Sequence, residues 1–168
     1  MNITIYINDK KLNPNDEAAI SEYTKRLNAY CKPVVQKQKC SQEQLEAFLH
    51  NLKLPEHSMI YQIHTGSDSP SSEQLAALIQ ENSLHGSSNI YFLIGYDTYT
   101  MTKEHLSGDT LTQAQAGSTI SESKLRNDIP IKPLSLSSMS MSNGLTCVVL
   151  CEQLYRSYRI LNHQPYHK

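Results

Sequence analysis

Few side chains in this sequence combine a reactive type with a useful spacing, and most of them lie in its second half. Cys147 and Cys151 stand one helical turn apart, a spacing that can present two thiolates to a metal. No His or further Cys stands at ligand spacing beside them, so no metal site is expected. Gly95 ends an apolar run, where a missing Cβ lets the backbone approach a ligand closely; a glycine there also serves an ordinary turn. The run Leu134, Ser135, Leu136, Ser137, Ser138 and Met139 can offer main-chain N–H and C=O groups to a planar ligand edge, or form a Ser-rich edge strand with its loop. At the C-terminus Tyr166 and His167 follow Arg156 and Arg159. An imidazole can move protons near neutral pH and a guanidinium is a fixed fork for phosphate or carboxylate. At a chain end such residues can equally be solvated and frayed.

These residues need a scaffold, and the hydrophobic pattern supplies an alternating one. Asn2 to Ile7 alternates at period two, as a half-buried strand does. Asn13 can cap a helix that opens with Pro14, Asp16 and Glu17, carries Ile20, Tyr23, Leu27 and Tyr30, and ends near Cys31 to Pro33. A short strand over Pro33 to Gln38 follows, then a capping-box pattern, Ser41 with Gln44, before Leu45, Phe48, Leu49 and Leu52. Ser58 to Ile63 reads as a strand, and Ser71 with Gln74 caps a helix carrying Leu75, Leu78 and Ile79. Asn89 to Ile94 (NIYFLI) is the continuous apolar run of a central strand covered on both faces. Ile131 to Ser137 alternates again, and Leu145 to Leu161 is the longest apolar helix, broad enough to suit packing against a second subunit. Alternating strands and helices predict an α/β fold, a mainly parallel sheet with helices on its faces. Thr100 to Asp128, rich in Ser, Thr, Gln and Gly, reads as a long mobile insertion in this single domain of residues 1–168.

Composition narrows the function classes. At 168 residues one domain can bury a core without disulfides, and the four cysteines lack CxxC spacing, so reduced and partly buried thiols are expected. A formal net charge of -1 gives no broad attraction to phosphate, so contact with RNA must come from a local patch. No run of about 18 apolar residues is present, and the chain reads as a cytoplasmic protein that does not enter a membrane. Neither GxGxxG nor GxxxxGK[ST] follows an expected strand, which weakens the reading of an ordinary doubly wound domain that binds a small anionic ligand at its strand ends.

The last stretch, EQLYRSYRILNHQPYHK (Glu152 to Lys168), resembles the C-terminal signature of the RlmH family, an EQLYRA-type helix with a PYHK or PYHR tail. Three further segments line up in order: AISEYTKRLNAY (Ala19 to Tyr30), FLIG (Phe92 to Gly95) and PLSLSSM (Pro133 to Met139). The resemblance spans essentially the whole chain. It implies a SPOUT-class fold, a trefoil α/β knot, and S-adenosyl-L-methionine-dependent methylation of N3 of a pseudouridine in 23S rRNA. It implies that the cofactor is held by main-chain groups around Ile63, Gly95 and Leu134 to Met139. It also implies a homodimer in which the tail lies beside the partner's cofactor, making His167 the first candidate for proton handling, with Tyr166, and Arg156 for phosphate or tail anchoring. With a near-neutral surface, the partner is expected to be large-subunit rRNA in the assembled ribosome rather than free RNA.

Two family motifs are altered. A second glycine and a short glycine-containing loop usually follow the strand, where this chain has Gly95, Tyr96, Asp97, Thr98 and Tyr99. The family's Pro-His pair, with Arg three residues after the His, is replaced by Ser142, Asn143 and Thr146. The alternative is therefore a divergent knotted binding protein that has lost rRNA methylation or acts on another substrate.

Overall fold

The structure is a computed structural model that describes residues 1–52, 54–96, 123–124 and 130–166. The elements run β1 (Asn2–Ile7), α1 (Pro14–Leu27), β2 (Lys32–Lys37), α2 (Gln42–Asn51), β3 (Ser58–Thr65), α3 (Ser72–Leu84), β4 (Asn89–Ile94), β5 (Ser123–Lys124), β6 (Pro130–Ser137) and α4 (Asn143–Leu161). They alternate as the pattern of apolar residues predicts. Helix starts are set by local chemistry: the Asn13 side chain accepts from the Asn15 N–H at 2.9 Å with Pro14 in the first turn. Ser71 and Gln74 form a reciprocal box, the Gln74 N–H donating to Ser71 Oγ at 3.2 Å and the Ser71 N–H to Gln74 Oε1 at 2.7 Å. Helix α1 stops earlier than its apolar spacing suggests, because Asn28 to Tyr30 form a turn that delivers the chain to β2.

One six-stranded sheet has the order β2-β1-β4-β3-β6-β5. The first five of these strands are mutually parallel, and β5 pairs antiparallel with β6 through Ser123 and Lys124. Those two residues fall inside the stretch read as an insertion, Thr100 to Asp128; the rest of it lies outside the described residues.

Period-two alternation divides the core into two layers. On one face Ile3, Ile5, Ile7, Ile90, Phe92, Ile94, Tyr61, Ile63 and Leu134 meet α1, α3 and α4. On the other, Ile60, Leu93, Tyr96 and Ile131 meet α2 through Leu45 and Leu49. Strand β4, between β1 and β3, is buried on both sides, which is why its sequence is apolar without alternation. Helix α4 packs on α1 and α3 and buries Cys147, Leu150, Cys151, Leu154 and Tyr158, spaced at three and four residues. Leu154 has no exposed surface. Leu154→Ala is expected to destabilise the fold by about 2–5 kcal/mol, read as a lowered denaturation midpoint with unchanged slope.

The four cysteines are free and buried. Burial pushes the Cys31 thiol up to about 11, and the Cys151 neighbour together with burial raises Cys147, so both stay protonated at neutral pH. Among the described residues no group of three or more His, Cys, Asp or Glu could hold a metal ion.

Candidate functional site

In parallel α/β sheets ligands collect at the C-terminal strand ends, where neighbouring connections diverge. Here the ends of β3, β4 and β6 and the start of α4 border one cleft of about 170 Å³, lined by Ile63, His64, Thr65, Ile94, Gly95, Leu136, Ser137, Met139, Met141, Asn143 and Thr146. Its walls are mixed, five apolar side chains alternating with three hydroxyls, an amide and an imidazole, which suits a small ligand that carries both apolar and polar groups.

Each wall has a local cause. Strand β3 pairs with β6 in register up to His64 opposite Ser135, then Thr65 falls opposite Ser137. This bulge adds one residue to β6 at the cleft and turns its last side chains. The Gly66 N–H donates to the Ser137 carbonyl at 3.1 Å and Ser135 Oγ donates to the Gly66 carbonyl at 2.8 Å, fixing the two strand ends together. Beyond β6 the Met139 N–H donates to Ser137 Oγ at 2.9 Å, curling the chain back toward α4. Ser142 caps α4, and Thr146 Oγ1 donates to the Ser142 carbonyl at 2.9 Å.

Gly95 is the tightest point. Its φ of +75° suits glycine, and a Cβ there would lie 2.5 Å from Asn143 Nδ2 and 2.7 Å from Oδ1. The Asn143 amide is fixed from the other side by donating to Asp9 Oδ2 at 2.9 Å. Asn8 Nδ2 donates to the Gly95 carbonyl at 2.8 Å and its Oδ1 accepts from the Cys40 N–H at 2.9 Å. The end of β1 thus braces the end of β4 and the start of α4. Tyr96, where the family usually has a second glycine, is not in the cleft: it is buried against α2, stacked on Phe48 at 5.3 Å, with its hydroxyl donating to the Gln38 carbonyl. Asp97 to Tyr99 lie outside the described residues.

The residues expected to hold a cofactor divide into two groups. Ile63, Gly95, Leu136, Ser137 and Met139 line the cleft. Leu134 is buried in the core, Ser135 is buried and bonded to Gly66, and Ser138 is exposed beside the cleft without lining it. His64 was not singled out by its sequence. Its Nδ1 is buried with no hydrogen-bond partner among the described residues, a cost of about 1–3 kcal/mol that a polar group could offset. Thr65, Met141, Asn8 and Asp9 are likewise not singled out by the sequence; the one signal is position, since Thr65 ends β3, Asn8 and Asp9 are the two residues after β1, and Met141 lies in the connection from β6 to α4.

The remaining candidates lie elsewhere. Arg156 is ten residues past Thr146 on the same helix, roughly 15 Å along its axis. Its Nη2 and Nε donate to Glu152 Oε1 at 2.8 and 3.1 Å, and its guanidinium lies 4.4 Å from the centre of the Tyr166 ring. Tyr166 Oη donates to the same Glu152 oxygen at 2.6 Å. Burial, then that carboxylate, pushes the Tyr166 phenol up to about 12, so it remains a neutral donor. His167 lies outside the described residues.

A family described as predicted SPOUT methyltransferase matches residues 1–107 and 116–167. The chain belongs to this family, in its RlmH branch. It is 31% identical to a ribosomal RNA large subunit methyltransferase H 1 of Thermoanaerobacter sp., with the whole of both chains covered. It is 30% identical to a ribosomal RNA large subunit methyltransferase H of Clostridium novyi, again over the whole of both. RlmH membership agrees with the five-stranded parallel sheet flanked by helices, and it places the chain among methyltransferases, which in general take their methyl group from S-adenosylmethionine. Among the described residues no helix is long and apolar enough to cross a membrane.

Proposed function

We propose that this protein is a homodimeric methyltransferase that uses S-adenosylmethionine to methylate N3 of a pseudouridine in large-subunit rRNA, within the assembled ribosome or its large subunit. The observation that carries the reading is the cleft at the ends of β3, β4 and β6, with Gly95 kept free of a Cβ at its tightest point. Its chemistry fits the cofactor: Ile63, Ile94, Leu136 and Met139 offer apolar surface to an adenine and to the carbons around a sulfonium, and Thr65, Ser137 and the His64 imidazole offer polar contacts. When bound, the cofactor supplies an electrophilic methyl group on a sulfonium. The trefoil knot belongs to this proposal, with the turn between β6 and α4 as part of the knotted segment.

The protein must then orient a nucleobase and handle the proton of its imide nitrogen. Positioning lowers a barrier without any proton transfer, whereas a placed base contributes roughly a hundred- to ten-thousandfold. In the same chain neither Arg156 nor Tyr166 lines the cleft: Arg156 is on the second half of α4 and Tyr166 is held against Glu152, whereas the cleft is bordered by the first turn, which supports a site completed by a second subunit's tail. In this reading His167 accepts the proton, Tyr166 orients it and Arg156 anchors the tail or an rRNA phosphate.

The divergent-binder reading is favoured by one observation. Asn143 and Thr146, at the positions of the family's His and Arg, spend their hydrogen bonds on Asp9 and Ser142. A neutral amide and a hydroxyl cannot supply an imidazole's proton transfer or a guanidinium's charge. Incubation with methyl-labelled cofactor and large subunits lacking the modification separates the two. Label recovered in a pseudouridine supports the methyltransferase; saturable cofactor binding with no label in ribosomal RNA would leave the binder. Asn143→His is expected to retain the contact with Asp9 and to raise the labelling rate about two- to tenfold, measured in the same assay.

A further inference from the structure

Among the described residues, the Glu152 carboxylate is the most heavily used acceptor outside the cleft. One oxygen, Oε1, takes hydrogen bonds from Tyr166 Oη at 2.6 Å and from Arg156 Nη2 and Nε at 2.8 and 3.1 Å; the other takes one from Gln153 Nε2 at 2.6 Å. Its side chain is only 18% exposed and that of Arg156 23%, so water competes weakly for these bonds. The Tyr166 ring is held between the Arg156 guanidinium and the edge of Tyr155, 5.9 Å away. One turn further on, Arg159 Nη2 donates to the Pro165 carbonyl. Three successive turns of α4 are thus used to fix the residues that precede His167.

We propose that Glu152 is a positioning residue for methyl transfer: it locks Arg156 and Tyr166 into one arrangement and so fixes the C-terminal tail in the orientation from which it serves the cleft of a second copy. This rests on the methyltransferase reading above. Glu152 touches neither cleft nor substrate in this reading, and acts only through the tail. Its charge matters because a charged acceptor holds the phenol and the guanidinium together more tightly than an amide would.

The test is a cycle on the full-length protein, with Glu152→Ala, a truncation after Pro165, and both together, assayed on large subunits. Glu152→Ala is expected to lower kcat about tenfold while S-adenosylhomocysteine affinity stays within about twofold, and Glu152→Gln to recover part of the rate. In the truncated protein Glu152→Ala should cause no further loss, because the group through which it acts is gone. Losses that multiply, or an unchanged kcat in Glu152→Ala, would overturn the positioning role. The fold is checked independently by the denaturation midpoints of all three variants. A wild-type protein that labels no rRNA overturns the methyltransferase reading instead, and the positioning role falls with it. That outcome is distinct, because carboxypeptidase release of Lys168 and His167 from Glu152→Ala would still be faster than from wild type if the lock itself is correct.

Discussion

Gly95→Trp is expected to remove measurable binding of S-adenosylmethionine and S-adenosylhomocysteine, with affinity falling roughly a hundredfold or more, about 2.7 kcal/mol. Two effects act together. An indole at this position must project into a cleft of only about 170 Å³, so it would take up much of the space a ligand needs. Its Cβ would also fall 2.5 Å from the Asn143 amide, which is tethered to Asp9 and cannot simply swing aside. The positive φ adds a backbone cost of about 1–2 kcal/mol for a residue with a Cβ. Calorimetric titration reads the affinity and a denaturation curve reads the fold. Undiminished binding in a folded Gly95→Trp protein would place the cofactor elsewhere.

Removal of Tyr166, His167 and Lys168 is expected to reduce rRNA methylation at least about a hundredfold while cofactor affinity changes less than about tenfold. The asymmetry follows from distance: the tail is anchored to the far half of α4, and the cleft is bordered by its first turn. If a second copy's tail completes each cleft, two damaged chains can restore a working site between them. Mixed subunits of Gly95→Trp and tail-truncated protein would then regain a fraction of the wild-type rate, because an intact cleft meets an intact tail once per heterodimer. Mixtures no more active than either parent would refute sharing between subunits.

Much of the fold is legible in the sequence because it rests on local rules. Strands β1 and β4 fall where period-two alternation and the NIYFLI run place them, and the Ser71 and Gln74 pair marks the start of α3 because its box closes within four residues. The end of α1 is less legible, since Tyr30 continues the apolar spacing but packs as a turn residue, stacked on Tyr158 at 5.7 Å. Of the candidate site, Gly95 is visible as the residue after an apolar strand. Its neighbours are not, because alternation says which face a side chain takes and not which strand end lies beside it.

The α/β class, the order of elements and, through the PYHK tail and FLIG, the RlmH family are thus readable from the residues alone, since each depends on positions close together in the chain. The remaining features came from long-range packing. The strand order brought β3, β4 and β6 to one cleft, and with them His64 and Met141. It joined Asp9 to Asn143, 134 positions apart, and sent Tyr96 into the α2 core rather than the site. These contacts depend on which distant segments are packed together, and burial across a whole sheet, rather than any local spacing, selects them.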